Sequence, residues 1–171
     1  IGKESMDNVN MIRSYWIPYS KGGPRRNWYG NYEYVVNWSQ KENFNRSKST
    51  LQYLYLREAL TWPFVTSGDF SARLLPKGFL WDVAGSPCFF TNRIDEMYTL
   101  GFLCTNVANY MLRVVNPTIN VQAIDIANTP LIVNTHRKEY VVDEVERCIY
   151  TSKSNWDSYE TSWDFKQNPL V

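Results

Sequence analysis

MYTLGFLCTNVANYMLRVVNPTINVQAIDIANTP, residues 97 to 130, decides how the rest of the chain is read. Leu100, Leu103, Cys104, Val107, Ala108, Met111, Leu112 and Val115 recur at i, i+3, i+4 and i+7, an unbroken apolar stripe that predicts one helix. The helix has to end at Val115 or Asn116, because Pro117 lacks an amide hydrogen and biases its predecessor away from helical dihedrals. Beyond it, Ile119, Val121 and Ala123 alternate with Asn120 and Gln122 as in a half-buried strand, which Pro130 closes. Asp95 and Glu96 are acids suited to the N-terminal end of the helix.

Working outward, the C-terminal side gives HRKEYVVDEVERCIY, where Val141, Val145, Cys148 and Ser152 share one face of a second helix. Trp156, Tyr159 and Trp163 then fall at i, i+3 and i+7, the pattern of a further short helix that docks aromatics. On the N-terminal side, Met11, Arg13, Tyr15 and Ile17 alternate with Ile12, Ser14 and Trp16 as a strand stopped at Pro18. Tyr32 to Trp38 is rich in β-formers and is expected to be a strand. Ser49 with Gln52 has capping-box spacing and predicts a helix from Thr50 to Leu60. Three short strands, Trp62 to Thr66, Ser71 to Leu75 and Gly78 to Val83, are separated by turn residues and predict a meander. The fold class that follows is α+β, a mixed, mostly antiparallel sheet with a central amphipathic helix and a C-terminal helix, as one domain over residues 1 to 171.

The 171 residues are 44% hydrophobic and include 7 Trp, 12 Tyr and 8 Phe, enough to bury a core and too aromatic for a disordered chain. No apolar run reaches the roughly 18 to 20 residues of a membrane span, and no basic signal-peptide start is visible at Ile1, so a cytoplasmic protein with no membrane partner is expected. The missing initial Met and the end at Leu170-Val171 read as a piece of a longer protein. Cys88, Cys104 and Cys148 are far apart in apolar surroundings and read as free thiols.

The net charge of +1 hides a gradient: Lys21 to Lys77 holds nine basic and four acidic residues, Gly78 to Val171 seven basic and eleven acidic. Such a split suits a protein that meets a polyanion with one face, and equally an ordinary mixed surface. The basic half contains the glycine-punctuated loop YSKGGPRRNWYGN, which carries Lys21, Arg25, Arg26, Asn27, Trp28, Tyr29 and Asn31 and no acid. These side chains can present forks to phosphates or base edges, or form a solvated loop with Trp28 packed inward. The turn region from Ser67 to Arg73, and Lys77, are candidates on the same grounds. His136 is the sole histidine and has no nucleophile or carboxylate placed beside it by sequence, and no glycine-rich phosphate loop occurs. Asn116-Pro117 is followed by Thr118-Ile119, so it lacks the second proline and the aromatic of the loop with which adenine amino-methyltransferases hold a flipped base. Asp157, Asp164 and Lys166 are a weak match to a metal-dependent nuclease motif.

KGGPRRNWYGN, TWPFVTSGDFSARLLPKGFLWDVAGS, YTLGFLCTNVANYMLRVVNPTINVQAIDIANTPLIV and NWDSYETSWDF resemble the C-terminal half of BREX/Pgl-type adenine-specific DNA methyltransferases of bacterial phage defence. The pattern is also similar to target-recognition domains of type IIG restriction-modification enzymes and type I specificity subunits. The resemblance implies a target-recognition domain for double-stranded DNA. It would sit beside a methyltransferase domain of the same chain, which supplies S-adenosylmethionine binding and the catalytic loop; this segment itself then holds no cofactor and is inactive alone. Other defence-system proteins are further expected partners. On that reading Lys21, Arg25, Arg26, Asn27, Trp28, Tyr29, Asn31, Ser67, Arg73 and Lys77 contact DNA. The alternatives are a protein-interaction module of the same enzyme and an independent nuclease.

Overall fold

The computed structural model describes residues 16–44, 49–66 and 68–170. Among the described residues, two three-stranded sheets and four α-helices share one aromatic-rich core. The first sheet is centred on β1 (Trp16–Ser20), which pairs antiparallel with β2 (Tyr34–Asn37). The second is centred on β3 (Ala59–Thr61), antiparallel to β4 (Arg73–Leu75). After β4 the chain crosses to the first sheet, where β5 (Leu80–Trp81) runs parallel to β1; β6 (Pro87–Cys88) then returns to pair with β3. The α+β class with mostly antiparallel pairing is therefore as expected, but the strands do not form a meander.

The differences have local causes. β1 runs through Pro18, where a stop was expected: Pro18 faces Val35 of β2, and β5 joins the other side of β1 only from Tyr19 on, so the missing amide hydrogen leaves no ladder partner unmet. Residues 11 to 15 of that expected strand lie outside the described residues. The helix expected over 50 to 60 is a 3₁₀ segment, Ser49–Leu54, ended by Leu56 at φ +63°, and Ala59 to Thr61 are fully buried as the middle strand of a sheet. Tertiary pairing has overridden local helical preference there. Trp62 is buried with its indole N–H on the Val121 carbonyl at 3.0 Å. The stretch after it forms a single bridge, Val65 with Asn120, instead of a strand.

The stripe of residues 97 to 115 is divided between α1 (Arg93–Leu103) and α2 (Asn106–Val115). Thr105 makes the break: its hydroxyl donates to the Phe102 carbonyl at 2.7 Å and accepts from the Ala108 amide at 3.1 Å, capping the new helix. Both helices bury the same stripe, Met97, Leu100 and Leu103 on one and Ala108 and Leu112 on the other, so the periodicity carries across a break it does not reveal. The end at Val115 before Pro117 is where the sequence puts it. The expected strand after it gives way at Ala123 to α3 (Ala123–Asn128), begun by a bond from the Gln122 amide to the Asp125 carboxylate at 2.7 Å.

The last helix, α4 (Lys138–Asp157), is 20 residues long and packs along α1. Trp156 belongs to its final turn, and residues beyond it form turns, so the separate aromatic helix is absent; Trp163 instead donates its indole N–H to the Tyr32 carbonyl. Gly101 sets the α1–α4 approach, since a Cβ there would lie 2.8 Å from Val145 Cγ2 and 3.4 Å from Val141 Cγ1. Replacing Gly101 by Leu is therefore expected to lower unfolding free energy by roughly 1–3 kcal/mol, despite the better helix propensity of leucine, and Val145→Ala in the same chain to restore part of it. Urea denaturation of the single and double variants checks this.

Candidate functional site

The loop between β1 and β2 is the basic, aromatic stretch of the sequence, and its shape is set from below by buried polar side chains. Gly22 has φ +91°, and a Cβ there would stand 2.5 Å from the Ala84 carbonyl oxygen, so no larger residue fits. Its own carbonyl accepts from two side chains: Arg73 Nη2 at 2.5 Å and Asn31 Nδ2 at 3.3 Å. Asn31, at φ +63°, also donates to the Pro24 carbonyl at 2.8 Å. Trp28 bridges to β4, its amide on the Ala72 carbonyl at 3.0 Å and its carbonyl receiving the Leu74 amide at 2.9 Å. Ser71 Oγ accepts the Arg26 amide at 3.2 Å. From α4, the Ser152 hydroxyl lies 3.3 Å from the Asn27 carbonyl and 3.1 Å from that of Tyr29.

The expected contact residues accordingly divide. Lys21 and Arg25 are exposed, and Arg26, Asn27 and Trp28 are half-buried. Lys21 Nζ stands 4.8 Å from the Tyr34 ring centre and the Arg26 guanidinium 5.0 Å from that of Trp156. Arg73, expected to reach a partner, is instead wholly buried: β4 places it opposite Thr61, and its guanidinium reaches inward to Gly22. Burial lowers its pKa, which the neighbouring Tyr32 counters. Tyr29 and Asn31 are buried too and hold the loop from inside. Ser67 lies outside the described residues. Lys77 is exposed but lines a different cleft.

That cleft, about 580 Å³, includes Tyr53, Arg57, Glu58, Phe90, Arg93 and Glu96 in its walls. Arg93 gathers three carboxylates: Glu58 at 2.6 Å, Glu146 at 3.1 Å and Glu96 at 3.5 Å. Burial, then the nearby Glu58 charge, raises the Glu96 carboxyl to about 7, in spite of Arg93. Glu96 is a helix-start acid as the sequence suggests, but it is 5% exposed, and Arg57 and Phe90 carry no sequence signal beyond charge and hydropathy. Nothing in the local sequence around 53–58, 77 and 90–96 shows that these segments meet.

Asp157 and Asp164, the suspected nuclease pair, both bind Lys153, the second at 2.9 Å. Against burial, which lowers it, these bonds hold the Lys153 ammonium above its ordinary range. Among the described residues no group of three or more His, Cys, Asp or Glu is arranged to hold a metal ion. No helix of the described residues is long and apolar enough to cross a membrane.

No protein-family model matches the chain. Over 173 residues, 98% of the chain, it is 36% identical to adenine-specific methyltransferase BrxX of Escherichia coli O9:H4 (strain HS). Over 167 residues, 91% of the chain, it is 36% identical to adenine-specific methyltransferase PglX of Lacticaseibacillus casei (strain Zhang). The chain is related to the BREX/Pgl-type adenine-specific methyltransferases. It spans 14% of the length of each relative, about one seventh. The alignment with BrxX thus takes in nearly all of this BREX/Pgl-related segment.

Asn31→Ala removes both loop hydrogen bonds and strains a positive φ; a loss of roughly 2–3 kcal/mol in unfolding free energy is expected, of which Asn31→Gly recovers about 1 kcal/mol. Glu96 gives a pH signature. Its folded pKa, about 7, lies above the ordinary glutamate value of 4.5, so its contribution to stability is fully present below pH 4.5 and is lost as pH rises through 7. Glu96→Gln should therefore flatten the decline in stability between pH 5 and pH 7.5 by on the order of 1–2 kcal/mol, read by thermal unfolding of both proteins across that range.

Proposed function

We propose that this chain is the DNA target-recognition domain of an S-adenosylmethionine-dependent adenine-N6 methyltransferase in a restriction-modification or phage-defence system. The observation that carries the reading is the loop of residues 21 to 31: it offers Lys21 and Arg25 to solvent from a backbone locked by Arg73, Asn31 and Ser152. A cation on a preorganised loop reaches a phosphate or a base edge without first losing loop entropy. The names of the two relatives, both adenine-specific methyltransferases, support the same reading. Cofactor binding and methyl transfer then belong to other parts of the parent polypeptide, and residues 1 to 171 act as one domain.

The chemistry assigns roles within the loop. Arg25 is the side chain best exposed to form a fork on a guanine edge or phosphate. Arg26 is stacked against Trp156, and Trp28 is half-buried and bridged to β4. Arg73, Asn31 and Tyr29 are positioning residues. A second role has its own observation: α2 is apolar on its outer face as well, with Val107, Tyr110 and Val114 exposed at i, i+3 and i+7. A row of exposed apolar side chains on one helix is normally covered, so this face suits docking to the methyltransferase part of the same polypeptide, or to another defence-system protein.

Fluorescence anisotropy with mixed-sequence duplex DNA separates the two. If the loop binds DNA, log K falls steeply with log salt, and the Lys21→Ala, Arg25→Ala double variant flattens the slope by about 1 to 2 and weakens binding roughly tenfold or more. Binding that ignores both substitutions removes the loop from the account.

A further inference from the structure

The cleft between the 53–58 stretch, the β4–β5 turn and the start of α1 has the composition of a ligand site that the loop reading leaves unused. Its volume of about 580 Å³ is that of a small-molecule pocket. Three aromatic side chains line it: Tyr53, which is 71% exposed, half-buried Phe90 and buried Tyr55. Three cations line it as well, of which Arg93 is taken up by its carboxylates. Arg57 and Lys77 are both exposed, and among the described residues neither has a carboxylate partner; the Arg57 guanidinium rests 5.9 Å from the Phe89 ring centre. The acids of the cleft are in the opposite state, since Glu58 and Glu96 both bind Arg93. The net result is a pocket with unspent positive charge, open aromatic faces and carboxyl oxygens that can still accept from an amino group.

We propose that this cleft binds a nucleotide, with the base against Tyr53 and Phe90, the phosphate on Arg57 and Lys77, and the exocyclic amino group directed to Glu58. Each part of the ligand answers one feature: aromatic side chains stack on bases whatever their identity, and paired cations hold a phosphate. An anion without a ring leaves Tyr53 and Phe90 unused, and an uncharged aromatic leaves Arg57 and Lys77 unused. The nucleotide can be a free mononucleotide or an unpaired nucleotide within a DNA strand, since both present the same base and phosphate. The inference does not depend on the loop of residues 21 to 31.

Isothermal titration of the chain with dAMP, with inorganic phosphate and with a short single-stranded oligonucleotide carrying 2-aminopurine tests it. Binding of dAMP about tenfold or more tighter than phosphate is expected, as is a loss of about tenfold in the Arg57→Ala, Lys77→Ala double variant and about fivefold in Tyr53→Ala. All three side chains are exposed, so these variants keep their fold. An oligonucleotide that binds tighter than dAMP by more than about tenfold assigns the ligand to a DNA strand; comparable or weaker oligonucleotide binding assigns it to a free mononucleotide. Arg25→Ala leaves dAMP binding unchanged, so failure of the duplex-contact reading and failure of this site register separately. Absence of binding by both dAMP and the oligonucleotide, phosphate binding as tight as dAMP, or affinity indifferent to Arg57 and Lys77 overturns the proposal.

Discussion

The carbonyl of Gly22 is the point on which the exposed face of this protein depends. Arg73 and Asn31 both donate to it, the first from the second sheet and the second from the far end of the loop. A guanidinium that makes no ion pair among the described residues is expensive to bury, and each bond it makes in the interior is correspondingly consequential. Tyr32, beside it, donates its hydroxyl to the Leu74 carbonyl, and burial raises its pKa well beyond the usual phenol range. The loop backbone is thereby tied to β4 before any partner arrives. Its outer residues are free to differ in chemistry while its inner ones are not.

The two sheets and α4 meet around this hub. Trp28 joins the loop to β4, Ser152 and Trp156 join it to α4, and Trp163 closes over Tyr32 from the C-terminal turns. Tyr32 stacks edge-on to Tyr29 at 5.0 Å and tilts against Phe79 at 4.9 Å, so the aromatic surplus serves the core beneath the loop. On the far side of α1, Arg93 plays a similar organising part for Glu58, Glu96 and Glu146. A basic loop and a mixed-charge cleft therefore stand on one rigid frame, each held by an arginine that does not itself reach outward from the loop or carry the unspent charge of the cleft.

What sequence disclosed follows from the range of each interaction. Pro117 ends α2 through its own backbone chemistry, and the fold class, the loop and α4 are legible for similar reasons. The break at Thr105 was hidden because both helices bury the same stripe. The meander failed because β5 finds β1 instead of its neighbour in sequence, a choice made by packing. Arg73 is not the outward-facing side chain its charge suggests, since its acceptor lies 51 residues away, whereas Asn31 turns inward onto acceptors 9 and 7 residues away in its own loop. The cleft was invisible because three segments separated along the chain build it. The alignments with the adenine-specific methyltransferases, in contrast, run over 98% and 91% of the chain and depend on no long-range packing.

The central claim is that the loop held by Gly22, Asn31 and Arg73 is the surface that meets DNA. Hydrogen–deuterium exchange of the chain, with and without saturating duplex at low salt, tests it most directly. The account predicts new protection concentrated in the amides of residues 21 to 31. Duplex-dependent protection confined to α2, or no change in the loop while the duplex is demonstrably bound, would contradict it.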